Sequence, residues 1–182
     1  MAGVGYGMRG HVLWDFQNSF GTTKVSSQQA IPIISETFED IVDHLSEDAM
    51  YARYGESPHH EGPHREEGGL NLESHPIAMG IPLKSVFGQV TTTSGTGNQT
   101  HEFIPRNTAD WDDFAAGPPA TIEVGRGQSS VESAFVYYDM IGNTLGLSIA
   151  NGQLLKLSAG FLGAGFTRRA NSTPSYPAAE PF

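Results

Sequence analysis

The sequence predicts a mainly β protein of short antiparallel strands, with little helix and long loops. Three observations predict it. Apolar residues alternate with small or polar ones over short runs, turn-forming glycine and asparagine separate those runs, and 22 glycines with 38% apolar content favour turns over long helices. The clearest pattern runs from Ile141 to Phe166, where Leu145, Leu147 and Ile149, and then Leu155, Leu157, Ala159 and Phe161, alternate around Asn151-Gly152. This is a β-hairpin. A two-residue loop would pair Leu147 with Lys156, whereas a three-residue loop of Ala150-Asn151-Gly152 pairs Leu147 with Leu155, Leu145 with Leu157 and Ile141 with Phe161. The second register keeps the apolar rows together, so Leu145, Leu147, Ile149, Leu155, Leu157 and Phe161 are expected inside and Thr144, Ser148, Lys156 and Ser158 outside.

In chain order, residues 1–10 read as a flexible glycine-rich arm and residues 11–167 as the β domain, beginning with a strand over His11 to Gln17. Ile31, Ile33 and Ile34 beside Pro32 suggest an edge strand or bulge. Phe38, Ile41, Val42 and Leu45 have helical spacing, which suggests a short helix between Glu36 and Asp48. Residues 47–69, with prolines, glycines and three histidines, read as a long loop. Leu70 and Leu72 restart a strand. Ser74-His75-Pro76 is a helix-start signal, with Ile77, Ile81, Val86 and Phe87 on the apolar face, Pro82 distorting the middle and Gly88 as terminator. Gln89–Thr93 and Gln99–Ile104 form a second hairpin around S-G-T-G-N, followed by a loop over Arg106–Pro119 pinned by Trp111 and Phe114. Strands over Ala120–Val124 and Val131–Met140 flank G-R-G-Q-S-S, with the next strand after Gly142. The Pro-rich tail, 168–182, carries no strand pattern and reads as a tail or the start of further strands.

Composition bounds the function. A chain of 182 residues fits one domain, and the absence of cysteine excludes disulfides, thiolate metal sites and cysteine nucleophiles. No apolar run reaches the roughly 18 residues of a membrane span, and the first ten residues lack the apolar core of a signal peptide. Twenty acids against ten bases, a formal charge of -10, oppose a surface built to grip phosphates.

Motifs for chemistry are sparse. His59, His60 and His64, interleaved with Glu61 and Glu66, could in principle hold a transition metal in a cupin-like enzyme, but the second histidine motif is missing and a solvated loop explains them more simply. Asp110-Trp111-Asp112-Asp113 lacks the alternation and glycine of a calcium loop. Gly160 to Gly165 has the wrong spacing for a dinucleotide fingerprint, and no serine stands in a hydrolase elbow. No catalytic residue, cofactor or metal is therefore assigned. What is left is many strands, exposed edges and a long loop, the equipment of a chain that polymerises.

Three stretches carry a family resemblance: E-G-P-H-R-E-E-G-G-L-N-L-E-S-H-P-I-A-M-G-I-P-L-K-S-V-F-G (61–88), T-H-E-F-I-P (100–105) and G-N-T-L-G-L-S-I-A-N-G-Q-L-L-K-L-S-A-G-F (142–161). In their order and spacing the chain resembles the tail tube (major tail) proteins of long-tailed bacteriophages and related viruses. The resemblance implies an antiparallel β-sandwich or small barrel with one short flanking helix and long loops, in a structural, non-enzymatic subunit of the virion tail assembled in the host cytoplasm. Its rings, hexameric or pseudo-hexameric trimers, would stack into a tube whose acidic lumen conducts DNA during ejection. It also implies partners: other copies of the chain, a tape-measure protein and transiently DNA in the lumen, and tail terminator and baseplate proteins at the ends. Another tail or baseplate ring protein is the neighbouring reading. Glu56, Pro58, His60, Glu61 and Arg65 in the long loop are the expected ring-stacking contacts.

Overall fold

The computed structural model describes residues 10–23, 29–46, 59–75, 78–105, 117–126, 134–170 and 173–175. The strands are β1 His11–Phe16, β2 Gln29–Ile31, β3 Ser35–Glu36, β4 Glu39–Ser46 and β5 His59–Glu73. After the helix α1, Gly80–Phe87, come β6 Gly88–Ser94, β7 Gln99–Pro105, β8 Ala120–Gly125, β9 Ala134–Ser148, β10 Lys156–Gly163 and β11 Gly165–Arg169. Nine strands share one antiparallel sheet in the order β2-β1-β8-β9-β10-β5-β3, with β11 on β9 and β4 on β5, while β6 and β7 form a separate ribbon.

The sheet folds on itself because β9 serves two halves. Its first half pairs with β8 and β11, and its second half pairs with β10. The two halves face each other across one core in which Trp14 meets Phe161 edge-on at 4.9 Å and Phe38 lies against Tyr137 at 5.3 Å. Rings this large supply most of the apolar burial that holds a sandwich together. Phe38 reaches the core where the strand line breaks between β3 and β4. Gly68 opposite makes room, since a Cβ there would stand 2.5 Å from the Phe38 Cα.

β9 turns between the halves at Asp139, the one described non-glycine residue with positive φ, at 58°. On the far side of the β1-β8-β9 half, Leu13, Ala30, Glu123 and Val136 are also buried, and Glu123 there meets both His11 and Arg169.

The opening hairpin is real but its register differs from the expected one. Leu147 pairs with Leu157 and Leu145 with Ala159, so the connection runs from Ile149 to Leu155 around a turn in which Gln153 N–H donates to the Ala150 carbonyl at 3.0 Å and Gly152 has φ +76°. The cause is at Leu155, whose carbonyl accepts the Ser74 N–H at 2.7 Å and so belongs to the end of β5. A two-residue shift preserves the faces. A bulge after Gly160 then sets Phe161 opposite Gly142 rather than Ile141. Leu157 and Phe161 are buried as expected and Leu145 packs on the core, but Leu147 is 57% exposed and Ile149 74%. Alternation identifies a face; it does not say where the opposite layer ends.

Other expectations are corrected. Residues 39–46 form strand β4 rather than a helix, because β5 offers a pairing edge along its whole length and two of the apolar positions, Ile41 and Val42, are β-branched. The long loop shrinks accordingly: 59–69 belong to β5, a 15-residue strand, and only 47–58 lie outside the described residues. The helix starts at Gly80, not Ser74, so Pro82 sits in its first turn, where no intrahelical N–H is required, and Gly88 ends it at φ 95°. β9 is continuous through Gly142, and β11 extends to Arg169 within the expected tail. Residues 1–9 of the expected arm 1–10, Trp111, Phe114, Ile77, the Asp110–Asp113 run, Glu56 and Pro58 lie outside the described residues.

A candidate assembly face on the folded sheet

The outer face of the β9-β10-β5-β3 half is built from two cross-strand rows. Register places Gly146, Ser158, Asn71 and Ser35 side by side in one, and Thr144, Gly160 and Gly69 in the next, with Thr37 Oγ1 accepting the Gly69 N–H at 3.0 Å. None of these side chains is charged. Their polar atoms are turned sideways into each other: Asn71 Nδ2 donates to Ser35 Oγ at 2.9 Å, and Ser158 Oγ to the Gly146 carbonyl at 3.5 Å. Two of the glycines leave room for the neighbouring hydroxyls, since a Cβ on Gly160 would stand 2.4 Å from Thr144 Oγ1 and one on Gly146 2.6 Å from Ser158 Oγ. Two adjoining hollows of about 340 and 220 Å³ follow these rows and share Asn71 and Ser158. Charge returns only at the margins, with Lys156 and Glu73 paired at one end and Glu67 and Glu39 at the other.

Among the described residues this half of the sheet has two open edges. β11 continues β10 along one side of β9, and β8 covers the other side only as far as Met140. Beyond that point Ser85 Oγ accepts the Gly142 N–H at 3.1 Å, and no described strand pairs there along 143–148. At the far margin β3 and β4 pair, among the described strands, only with β5. Unpaired edges of this kind are templates for another chain.

Among the described residues, His60 and His64 are not brought together. His60 pairs across from Leu45, and the side chain of His59 lies outside the described residues. His64 sits in the open between Asp40 at 3.3 Å and Glu61 at 3.0 Å, and these hydrogen bonds, Asp40 first, raise its pKa. Among the described residues no group of three or more His, Asp or Glu side chains is placed to hold a metal ion. Nearby Glu66 is buried with one carboxyl oxygen unpartnered, and burial, then Asp40, raises its pKa. Arg65 reaches Asp43 and Glu67 on the exposed face of the same ribbon. The signal for the assembly face was already visible, in hindsight, in the recurrence of Gly, Ser, Thr and Asn at alternate positions of the flanking strands.

A sequence profile of phage tail tube proteins matches residues 7–182. The chain belongs to the phage tail tube protein family. Tail tube proteins are structural, and this one is a component of the virion tail rather than an enzyme. Among solved structures, the tail of an empty GTA particle, computed with C6 symmetry, matches at TM-score 0.57 and 7% identity, covering 92% of this chain and 100% of that one. The SPP1 tail tube matches at TM-score 0.52 and 9% identity, covering 91% and 79% respectively. The six-fold symmetrised baseplate of the anti-feeding prophage follows at 0.50 and 9%, covering 93% and 97%. These likenesses are of fold. No curated protein sequence matches the chain.

Proposed function

We propose that this tail tube protein closes into rings through the open edges of its folded sheet, and that stacked rings present the uncharged rows to a lumen that conducts DNA. The carrying observation is the pair of rows from Gly146 to Ser35 and from Thr144 to Gly69, lying between two unpaired edges. Joining the 143–148 edge of one copy to the β3–β4 edge of the next satisfies backbone groups on both, at about 0.5–1.5 kcal/mol per hydrogen bond. Two different edges make a heterologous contact, which closes a ring when the rotation divides a circle. Six single-domain copies fit the symmetry used for the GTA tail, and a trimer of two-lobed chains is the other closure.

A wall of this kind suits a sliding polyanion. Two of its donors, Asn71 Nδ2 and Ser158 Oγ, are already engaged within the wall, and a chain of charge -10 repels DNA at longer range. The lumen expected to be acidic is thus read as neutral along its middle, with Glu39, Glu67 and Glu73 at the margins. Before ejection the same wall would hold a tape-measure protein, and terminator and baseplate proteins would cap the ends. Rings would stack through the ribbon of β4 and β5, with His60, Glu61 and Arg65; Glu56 and Pro58, expected with them, lie outside the described residues. Electron microscopy of the purified protein at high concentration and high salt tests this. Rings or tubes are expected; a strictly monomeric protein under those conditions would overturn it.

A further inference from the structure

Glu66 stands where the β4–β5 ribbon leaves the sheet, opposite Gly163 in the last pair that β5 makes with β10. Its side chain is buried, at 2% exposure, and one carboxyl oxygen has no hydrogen-bond partner. Register sets Asp40 directly across from it on β4, and residues paired in this way present their side chains on one face. That face is the core face, because Phe38 and Gly68 meet two positions along. Two carboxylates so placed repel each other, and the Asp139 carboxylate at the bend of β9 adds to the negative field at Glu66. A buried polar atom left without a partner calls for a bound water or ion, or for a proton on the carboxyl itself. The surroundings favour a cation. Residues 39–46 and 59–67 hold six carboxylates against the single base Arg65, a field that concentrates positive ions. Asp40, with its side chain 24% exposed, opens the pair to solvent.

We propose that Asp40 and Glu66 hold a calcium ion at the root of the β4–β5 ribbon. Calcium takes about six to eight oxygens in flexible geometry, so two carboxylates leave the other positions to water and backbone carbonyls. A transition metal would ask for an imidazole, and both ring nitrogens of His64 are engaged, by Asp40 at 3.3 Å and by Glu61 at 3.0 Å. With only two charged ligands the affinity falls in the weak range, a Kd on the order of 0.1–1 mM. The ion would cancel the repulsion between β4 and β5 where they leave the sheet, and so fix the direction in which the ribbon projects. The site does not depend on the tube reading.

Thermal denaturation of the purified chain near pH 8 tests this, first in EDTA and then in about 10 mM CaCl2 against NaCl of equal ionic strength. Calcium should raise Tm by about 3–10 °C over the sodium control. Glu66→Gln and Asp40→Asn should each lose that increment, while Asp43→Asn, on the exposed part of the ribbon, keeps it. Calorimetric titration of the wild type with CaCl2 should show a single site per chain, a readout that stands whether or not the variants fold. No calcium increment in the wild type would mean that a proton alone holds the pair, and would overturn the site. So would an increment that survives in both Glu66→Gln and Asp40→Asn, or one that Asp43→Asn abolishes equally, the mark of diffuse screening along the acidic ribbon.

Discussion

Gln17 and Asp139, 122 positions apart, grip each other reciprocally: the Gln17 carboxamide oxygen accepts the Asp139 N–H at 2.7 Å, and its Nε2 donates to Asp139 Oδ1 at 2.9 Å. Gln17 is buried, and Asp139 holds φ at 58° where β9 leaves one half of the sheet for the other. The Asp139 carboxylate also accepts the Gly21 N–H at 2.9 Å, and Gln17 Nε2 reaches the Thr22 carbonyl at 2.8 Å. One side chain therefore ties the end of β1, the following turn and the bend of β9. Gln17→Ala leaves the Asp139 N–H without this acceptor and should cost about 2 kcal/mol. For a domain of this size that lowers Tm by about 4–8 °C, checked by thermal denaturation.

Glu66 sets a pH dependence. Its folded pKa lies above the ordinary carboxyl value through burial first and Asp40 second, so the unfolded chain ionises at lower pH. Stability falls as pH rises from the unfolded value through the folded one. Glu66→Gln removes that loss: Tm should match the wild type near pH 4 and rise above it as the pH is raised. His64 acts in the same sense. Its raised pKa gives stability that is full below the ordinary histidine value and lost as pH rises through the raised one, so His64→Gln should flatten the Tm profile around neutrality.

Burial along the β9–β10 hairpin separates folding from assembly. Phe161 is 2% exposed and packs on Trp14, so Phe161→Ala should cost about 3–5 kcal/mol and be read directly in urea denaturation. Leu147→Asp, on an exposed residue of the same hairpin, should leave the unfolding midpoint within about 1 kcal/mol of the wild type while weakening assembly.

Gly68 is a packing requirement. The Phe38 backbone and ring occupy the space of its absent side chain, so Gly68→Ala should cost about 1–3 kcal/mol by forcing Phe38 outward, measurable as a lowered Tm and an altered near-ultraviolet signal from the aromatic cluster.

Local signals were legible where two neighbouring strands and their turn carry the information. From alternation, Leu157 and Phe161 were read as core and Leu70 and Leu72 as a strand, and the S-G-T-G-N turn, with Gly97 at φ +84°, was read from composition. The ribbon of β4 and β5 was not legible. His59 to Gly69 is rich in charge, glycine and proline, and it is a strand because β4 pairs with it. Nor could periodicity show that Leu147 lies past the end of the opposite layer, or that Leu155 pairs with Ser74. The Gln17 to Asp139 grip has no sequence signature, because its partners meet only once both halves of the sheet have formed. The uncharged face was partly legible: Thr144, Ser148, Lys156 and Ser158 were placed outside from the hairpin alone, but Asn71, Gly69 and Ser35 join them only through β5 and β3 pairing.

The most direct test of the account is a helical reconstruction of tubes assembled from the purified chain, resolved well enough to follow strands. The account predicts that Thr144, Gly160 and Ser158 with Asn71 line the lumen, and that residues 143–148 of each copy run beside β3 and β4 of its neighbour. A tube in which those rows face outward, or are buried between copies, would contradict it.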